Sequence, residues 1–120
     1  MATNDTCCTI VPYFKIHDGK LDAFRAFCER FVEASETEPG CLYYGFTFDG
    51  DQAHCREGYA DADAALAHME NVGALLEKTL EIADLTRLEI HGAEQELAKL
   101  REQFTPLNAQ FFTLEYGFRR

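Results

Sequence analysis

From Cys7 to Ile16 the chain alternates, with Cys8, Ile10, Phe14 and Ile16 on one side and Thr9, Val11, Tyr13 and Lys15 on the other. That period of two predicts a strand. Both sides are partly apolar, so the sheet it joins is expected to be covered on both faces. Pro12 lacks an amide donor and pushes the strand toward an edge or a bulge. His17 to Lys20 reads as a turn, with Asp18 as the cap of a helix. Beyond it the period changes: Leu21, Phe24, Phe27, Cys28, Phe31 and Val32 recur at steps of three and four, with acids and arginines mostly opposite. Pro39 cannot continue that helix, and Gly40 can take the left-handed conformation that closes a helix end.

A second strand follows, with Leu42, Tyr44, Phe46 and Phe48 on the face toward the helices and Cys41, Tyr43, Gly45 and Thr47 on the other. Asp49-Gly50-Asp51 is a hairpin signal, and a third strand is predicted over about 52–60. Its inward set, Ala53, Cys55, Glu57 and Tyr59, contains a carboxylate. An inward carboxylate must be hydrogen-bonded, paired or protonated, which singles out Glu57. Asp61 caps a second helix with a stripe of Leu66, Met69, Val72, Gly73, Leu76 and Leu80, open to interruption at 71–73, and with His68 at its edge. A fourth strand spans 85–91, with Leu88 and Ile90 inward and Arg87, Glu89 and His91 pairing on the outer face.

The order strand, helix, strand, strand, helix, strand is the split arrangement of a ferredoxin-like α+β fold. Two helices on one face leave the other bare, and a second copy of the sheet is the simplest cover. A C-terminal extension over 92–120 adds a helix from Ala93 to Phe104, with Leu97, Leu100 and Phe104 inward, and a strand over 111–118. That strand is expected to pair across a dimer or along its own sheet, because left open it would invite aggregation. Met1 to Thr6 is expected to fray. The whole is one domain of 120 residues, with its core at about 7–91.

Composition adds exclusions. A net charge of -10 argues against nucleic acid and anionic membranes as partners. No run of about 18 apolar residues and no basic-then-apolar leader occurs, so no membrane span is predicted and the expected compartment is the cytoplasm. Five cysteines without paired spacing, and four scattered histidines, make no metal site; the cysteines read as reduced packing residues.

Glu38-Pro39-Gly40-Cys41-Leu42-Tyr43-Tyr44, Arg56-Glu57-Gly58-Tyr59-Ala60-Asp61 and Ala64-Ala65-Leu66-Ala67-His68 together resemble the antibiotic biosynthesis monooxygenase family over roughly Cys8 to His91. The resemblance implies a dimeric α+β barrel with a pocket between sheet and helices in each subunit. Some members oxidise polycyclic phenols or quinols with oxygen and neither metal nor flavin; others degrade haem, act as isomerases, or have no known activity. The chain has no Trp, with Tyr59 standing where members often carry one, and lacks the Asn, Trp and His set of the haem branch.

Oxygenation without a cofactor requires a base to make the substrate an electron-rich anion inside an apolar cavity. The candidate catalytic residues are His68 and Glu57, with no cofactor. Tyr44, Tyr59, Phe46 and Phe24 are the candidates to hold an apolar or aromatic small molecule. Each has a structural alternative: His68 as a half-buried packing residue, Glu57 paired with an Arg or Lys, the aromatics as core. The expected function is a homodimeric cofactor-independent monooxygenase acting on an aromatic or quinone-like molecule, or a non-catalytic binding protein of the same fold.

Overall fold

A computed structural model describes residues 1–120. The elements are β1 (Cys8–Ile16), α1 (Leu21–Glu36), β2 (Cys41–Asp49), β3 (Gln52–Tyr59), α2 (Ala62–Thr79), β4 (Ala83–Gly92), α3 (Glu94–Phe104), a 3-10 turn (Thr105–Leu107) and β5 (Gln110–Thr113). The strands form one sheet in the order β2-β3-β1-β4-β5, antiparallel except for the parallel β4–β5 pair. This is the ferredoxin-like α+β arrangement that the pattern predicts, extended by one helix and one short strand.

All three helices pack on one face. Cys8, Ile10, Tyr59, Leu88 and Ile90 from the sheet meet Ala62 and Ala65 of α2 and Leu97, Leu100 and Phe104 of α3. A second cluster joins Phe14, Ile16, Ala53 and Ala83 to Phe24 and Cys28 of α1. The buried Glu96 side chain of α3 accepts from Ala62 N at 3.0 Å. It thereby satisfies a free amide at the start of α2 and bolts the extension to the rest.

Several expectations change in detail. β1 lies in the middle of the sheet, and Pro12 is accommodated beside a register shift at Tyr13/Phe14, so the bulge alternative holds. Lys20, not Asp18, is the N-cap of α1, without a side-chain bond. Its buried face is Phe24, Cys28, Phe31 and Ser35, so Val32 is exposed and Ser35 takes the inward place. α2 runs unbroken through 71–73, and His68 stands at the centre of its buried face beside Ala65 and Val72. α2 is buried from several sides, by α1, α3 and the sheet.

Gly40 does not adopt a left-handed backbone; among the glycines positive φ occurs at Gly19, Gly50 and Gly117. The demand at Gly40 is one of space, because a Cβ there would fall 2.5 Å from the Ala64 Cβ of α2. A register shift between Cys41 and Tyr43 leaves Leu42 as the extra residue of a bulge. Cys41 pairs with Tyr59 and Tyr44 with Glu57, so Cys41 turns to the helix side and Leu42 is exposed.

The last strand stops at Thr113, shorter than the apolar run over 111–118 suggests, and it pairs along its own sheet. The N-terminal residues are tied down. Ala2 bridges Tyr116, Gly117 N donates to Met1 O at 2.7 Å, and Arg119 pairs with Asp5 at 2.9 Å. On the uncovered sheet face Glu89 pairs with Arg87 and His91, as the alternation implies.

Candidate active site

Between the sheet and α1, α2 and α3 lies an apolar cavity of about 40 Å³, walled by Phe24, Phe31, Phe46 and Tyr44, with Glu57 and His68 as its acid and imidazole. A water needs roughly 10–15 Å³ on this measure, so the space holds a few waters at most. An organic ligand must displace wall side chains.

The polar groups come from three elements. β3 places Glu57 inward because Cys55, Glu57 and Tyr59 share the helix face by strand alternation. Tyr59 donates its hydroxyl to Glu57 Oε1 at 2.6 Å. α2 brings His68 across the cavity, with Nε2 3.5 Å from Glu57 Oε1. The segment after α1 supplies Glu38, whose two oxygens each lie 3.0 Å from His68 Nδ1. Asn71, one turn on from His68, donates to Glu38 Oε2 at 2.8 Å and to Ala34 O at 3.1 Å, joining α2 to the end of α1. The imidazole thus stands between two carboxyl groups, and Glu57 meets it rather than an Arg or Lys.

The electrostatics follow from burial. Desolvation pushes the Glu57 carboxyl up to about 8, against the pull of the Tyr59 and Cys55 hydrogen bonds. Desolvation also lowers the His68 imidazole below its usual value, with Glu38 opposing. Burial thus favours a protonated Glu57 and a neutral His68. Glu38 accepts the Nδ1 proton, which leaves the Nε2 lone pair toward Glu57 and the cavity. Burial raises the Tyr44 and Tyr59 phenols well above their ordinary values, so both stay protonated.

Of the six residues singled out by sequence, Glu57, His68, Tyr44, Phe46 and Phe24 line the cavity together. Tyr59 does not reach it; it is fully buried behind Glu57. Glu38 was not foreseen, although Pro39 fixes its position at the helix end. Nor was the wall contributed by Phe104 and Leu107 of the extension.

The pH dependence of stability checks the state of Glu57. A carboxyl whose pKa rises from 4.5 to about 8 on folding stabilises the fold fully below about 4.5 and loses that contribution as pH climbs to about 8. His68 acts oppositely, its contribution fading as pH falls below 6.5. Glu57→Gln should therefore unfold at higher denaturant than the parent at pH 9 and near the same denaturant at pH 5. An equal gap at both pH values would contradict a protonated Glu57.

Fold and cavity together define a ferredoxin-like α+β protein with a small, aromatic-walled cavity between sheet and helices. The chain matches the model of the antibiotic biosynthesis monooxygenase family over residues 8–74, more than half its length, and it belongs to that family. Among solved structures it is similar to MupZ from Pseudomonas fluorescens, at 46% identity over 95% of this chain and 94% of that one, with a TM-score of 0.90. In fold alone it is similar to a presumed antibiotic biosynthesis monooxygenase from Nitrosomonas europaea, at 17% identity, TM-score 0.69, covering 78% of this chain and 96% of that one. A conserved protein from Methanosarcina mazei is also similar in fold, at 19% identity, TM-score 0.64, with 72% and 89% covered. No curated protein matches the sequence. None of the helices is long and apolar enough to cross a membrane.

Proposed function

We propose that the chain is a cofactor-independent monooxygenase of an aromatic or quinol-like small molecule, bound in the cavity between sheet and helices. The observation that carries the reading is His68, buried between Glu38 and Glu57 in a wall of aromatic side chains. Held by Glu38 at Nδ1, His68 presents Nε2 to take a proton from a phenol or an enolisable carbon. Glu57, carrying its proton, faces the oxygen on which charge develops, and the Tyr44 hydroxyl is a second donor on the wall. Dioxygen is the oxidant. For an anthrone, the methylene carbon loses both hydrogens, one oxygen atom becomes the new carbonyl, and the other leaves with those hydrogens as water.

One observation favours a redox-neutral second reading. His68 Nε2 and Glu57 Oε1 face each other at 3.5 Å, and a neutral imidazole with a protonated carboxyl at that spacing can shift a proton from one substrate atom to another with no oxidant, as in an isomerisation. Oxygen-electrode measurements with anthrones and hydroquinones separate the two. Uptake above the buffer rate, with one oxygen atom built into the product as in anthrone to anthraquinone, supports the oxygenase; product formation without uptake supports proton transfer alone. Neither would leave a non-catalytic binding protein.

The functional unit is proposed to be a homodimer acting in the cytoplasm. The sheet face away from the helices carries Val11, Tyr13 and Tyr43, the last two more than a third exposed, and a second sheet would cover them. Sedimentation should give a mass near twice 13.6 kDa, and a clean monomer at micromolar concentration would contradict the barrel.

A further inference from the structure

Ser35 stands on the buried face of α1 with its hydroxyl oxygen out of contact with water and without a hydrogen-bond partner. A helical Ser or Thr ordinarily satisfies itself on the carbonyl four residues back, as Thr79 does on Leu75 O at 2.9 Å. An orphaned hydroxyl is a net cost to the folded state. Its surroundings show what it could serve. Ser35 lines a surface cleft of about 340 Å³ between the end of α1 and β2, together with Val32, Glu36, Cys41, Tyr43 and Tyr44.

Tyr44 belongs to both walls. One side of it lines this cleft and the other lines the inner cavity, where its ring packs on His68 at 5.3 Å and Phe46 at 5.7 Å between centroids. Its hydroxyl is near the Ser35 hydroxyl, yet no well-formed hydrogen bond joins the two. β2 is an edge strand, and the Leu42 bulge loosens its pairing just ahead of Tyr44. The cleft wall is apolar and exposed at Val32. The inner cavity alone is too small for an organic ligand, whereas the cleft is within the range such ligands occupy.

We propose that the cleft between α1 and β2 is the substrate port and outer subsite, that Tyr44 is the movable wall between it and the inner cavity, and that Ser35 Oγ binds a hydroxyl or carbonyl of the ligand. The ligand is a neutral molecule with a flat apolar body; Glu36 at the rim and the net charge of -10 disfavour an anion. The inference rests on reading the inner cavity as the reaction site. Swinging the Tyr44 ring joins the two spaces into one, so that a single ligand can touch Ser35 at one end and reach His68 at the other.

The test uses 2-naphthol and naphthalene as probes, titrated into the full-length protein and its Ser35→Ala and Val32→Trp variants. Ser35→Ala should weaken 2-naphthol about three- to tenfold, the worth of one neutral hydrogen bond, and leave naphthalene unchanged. The same variant should raise the Tm of the ligand-free protein by about 3–6 °C, because it deletes an unpaired buried hydroxyl. A purely structural serine would not weaken one ligand selectively while stabilising the fold. Val32→Trp, at a position 40% exposed, should fold normally and slow association of both probes at least tenfold by plugging the cleft. Unaltered 2-naphthol affinity in Ser35→Ala, an unaltered association rate in Val32→Trp, or no binding of 2-naphthol by the parent protein would overturn the proposal. Dependence on both residues with no oxygen uptake would leave the port standing and remove the oxygenase.

Discussion

Replacing His68 by Ala should lower turnover of an anthrone or hydroquinone by about 10²–10⁴-fold, the usual worth of a positioned proton-transfer group. The loss should fall on kcat more than on KM, because the imidazole acts on the proton and the aromatic walls remain. Glu38→Gln keeps an acceptor for the Nδ1 proton and should cost less. The parent pH profile should be bell-shaped: the acid limb lies below 6.5, where the imidazole gains a proton, and the alkaline limb lies near 8, where Glu57 loses one. These limbs belong to the pair, which titrates as a unit. Glu57→Gln should remove the alkaline limb. A His68→Ala protein as active as the parent would end the acid–base assignment.

The second large effect is on stability. Phe104 is fully buried, and it joins the core formed by α2 and the sheet while also walling the cavity. Phe104→Ala should cost about 3–5 kcal/mol by urea unfolding, and the transition should remain single. The position tests whether the C-terminal segment is part of one cooperative unit. A loss below about 1 kcal/mol, or a separate early transition, would mean that α3 docks loosely and that the cavity wall is incomplete without ligand. The bond from Ala62 N to Glu96 argues for tight docking, since it would otherwise leave a carboxylate buried without a partner.

The alternation of β1, β2 and β3, the three-and-four spacing of α1 and the Asp49-Gly50-Asp51 turn made the strand and helix order legible from sequence, and with it the sheet topology. Glu57 was legible for the same reason: a carboxylate on an inward strand position needs a partner. What escaped was set by tertiary contact. A bulge adds one residue without disturbing composition, so Cys41 was placed on the wrong face and Leu42 was taken as core. His68 was read at the edge of a stripe because Leu66 and Met69 are more apolar, yet burial on α2 is decided by what surrounds it. Glu38 carried no signal beyond its place at the helix stop; only the meeting of α1's terminus with α2 brings it to His68. The N-terminal tail, polar and aperiodic, is held by a C-terminal stretch more than a hundred residues away.

The site turns on a buried imidazole kept neutral between two carboxyl groups, one of them protonated. Nitrogen-15 NMR of the His68 ring across pH 5 to 9, with Glu57→Gln beside the parent, reads it without a substrate. The prediction is a neutral ring protonated at Nδ1 at pH 7, still neutral as pH falls through 6.5, with a shift near pH 8 that vanishes in Glu57→Gln. An imidazolium at pH 7, or a simple titration at 6.5 in both proteins, would contradict it.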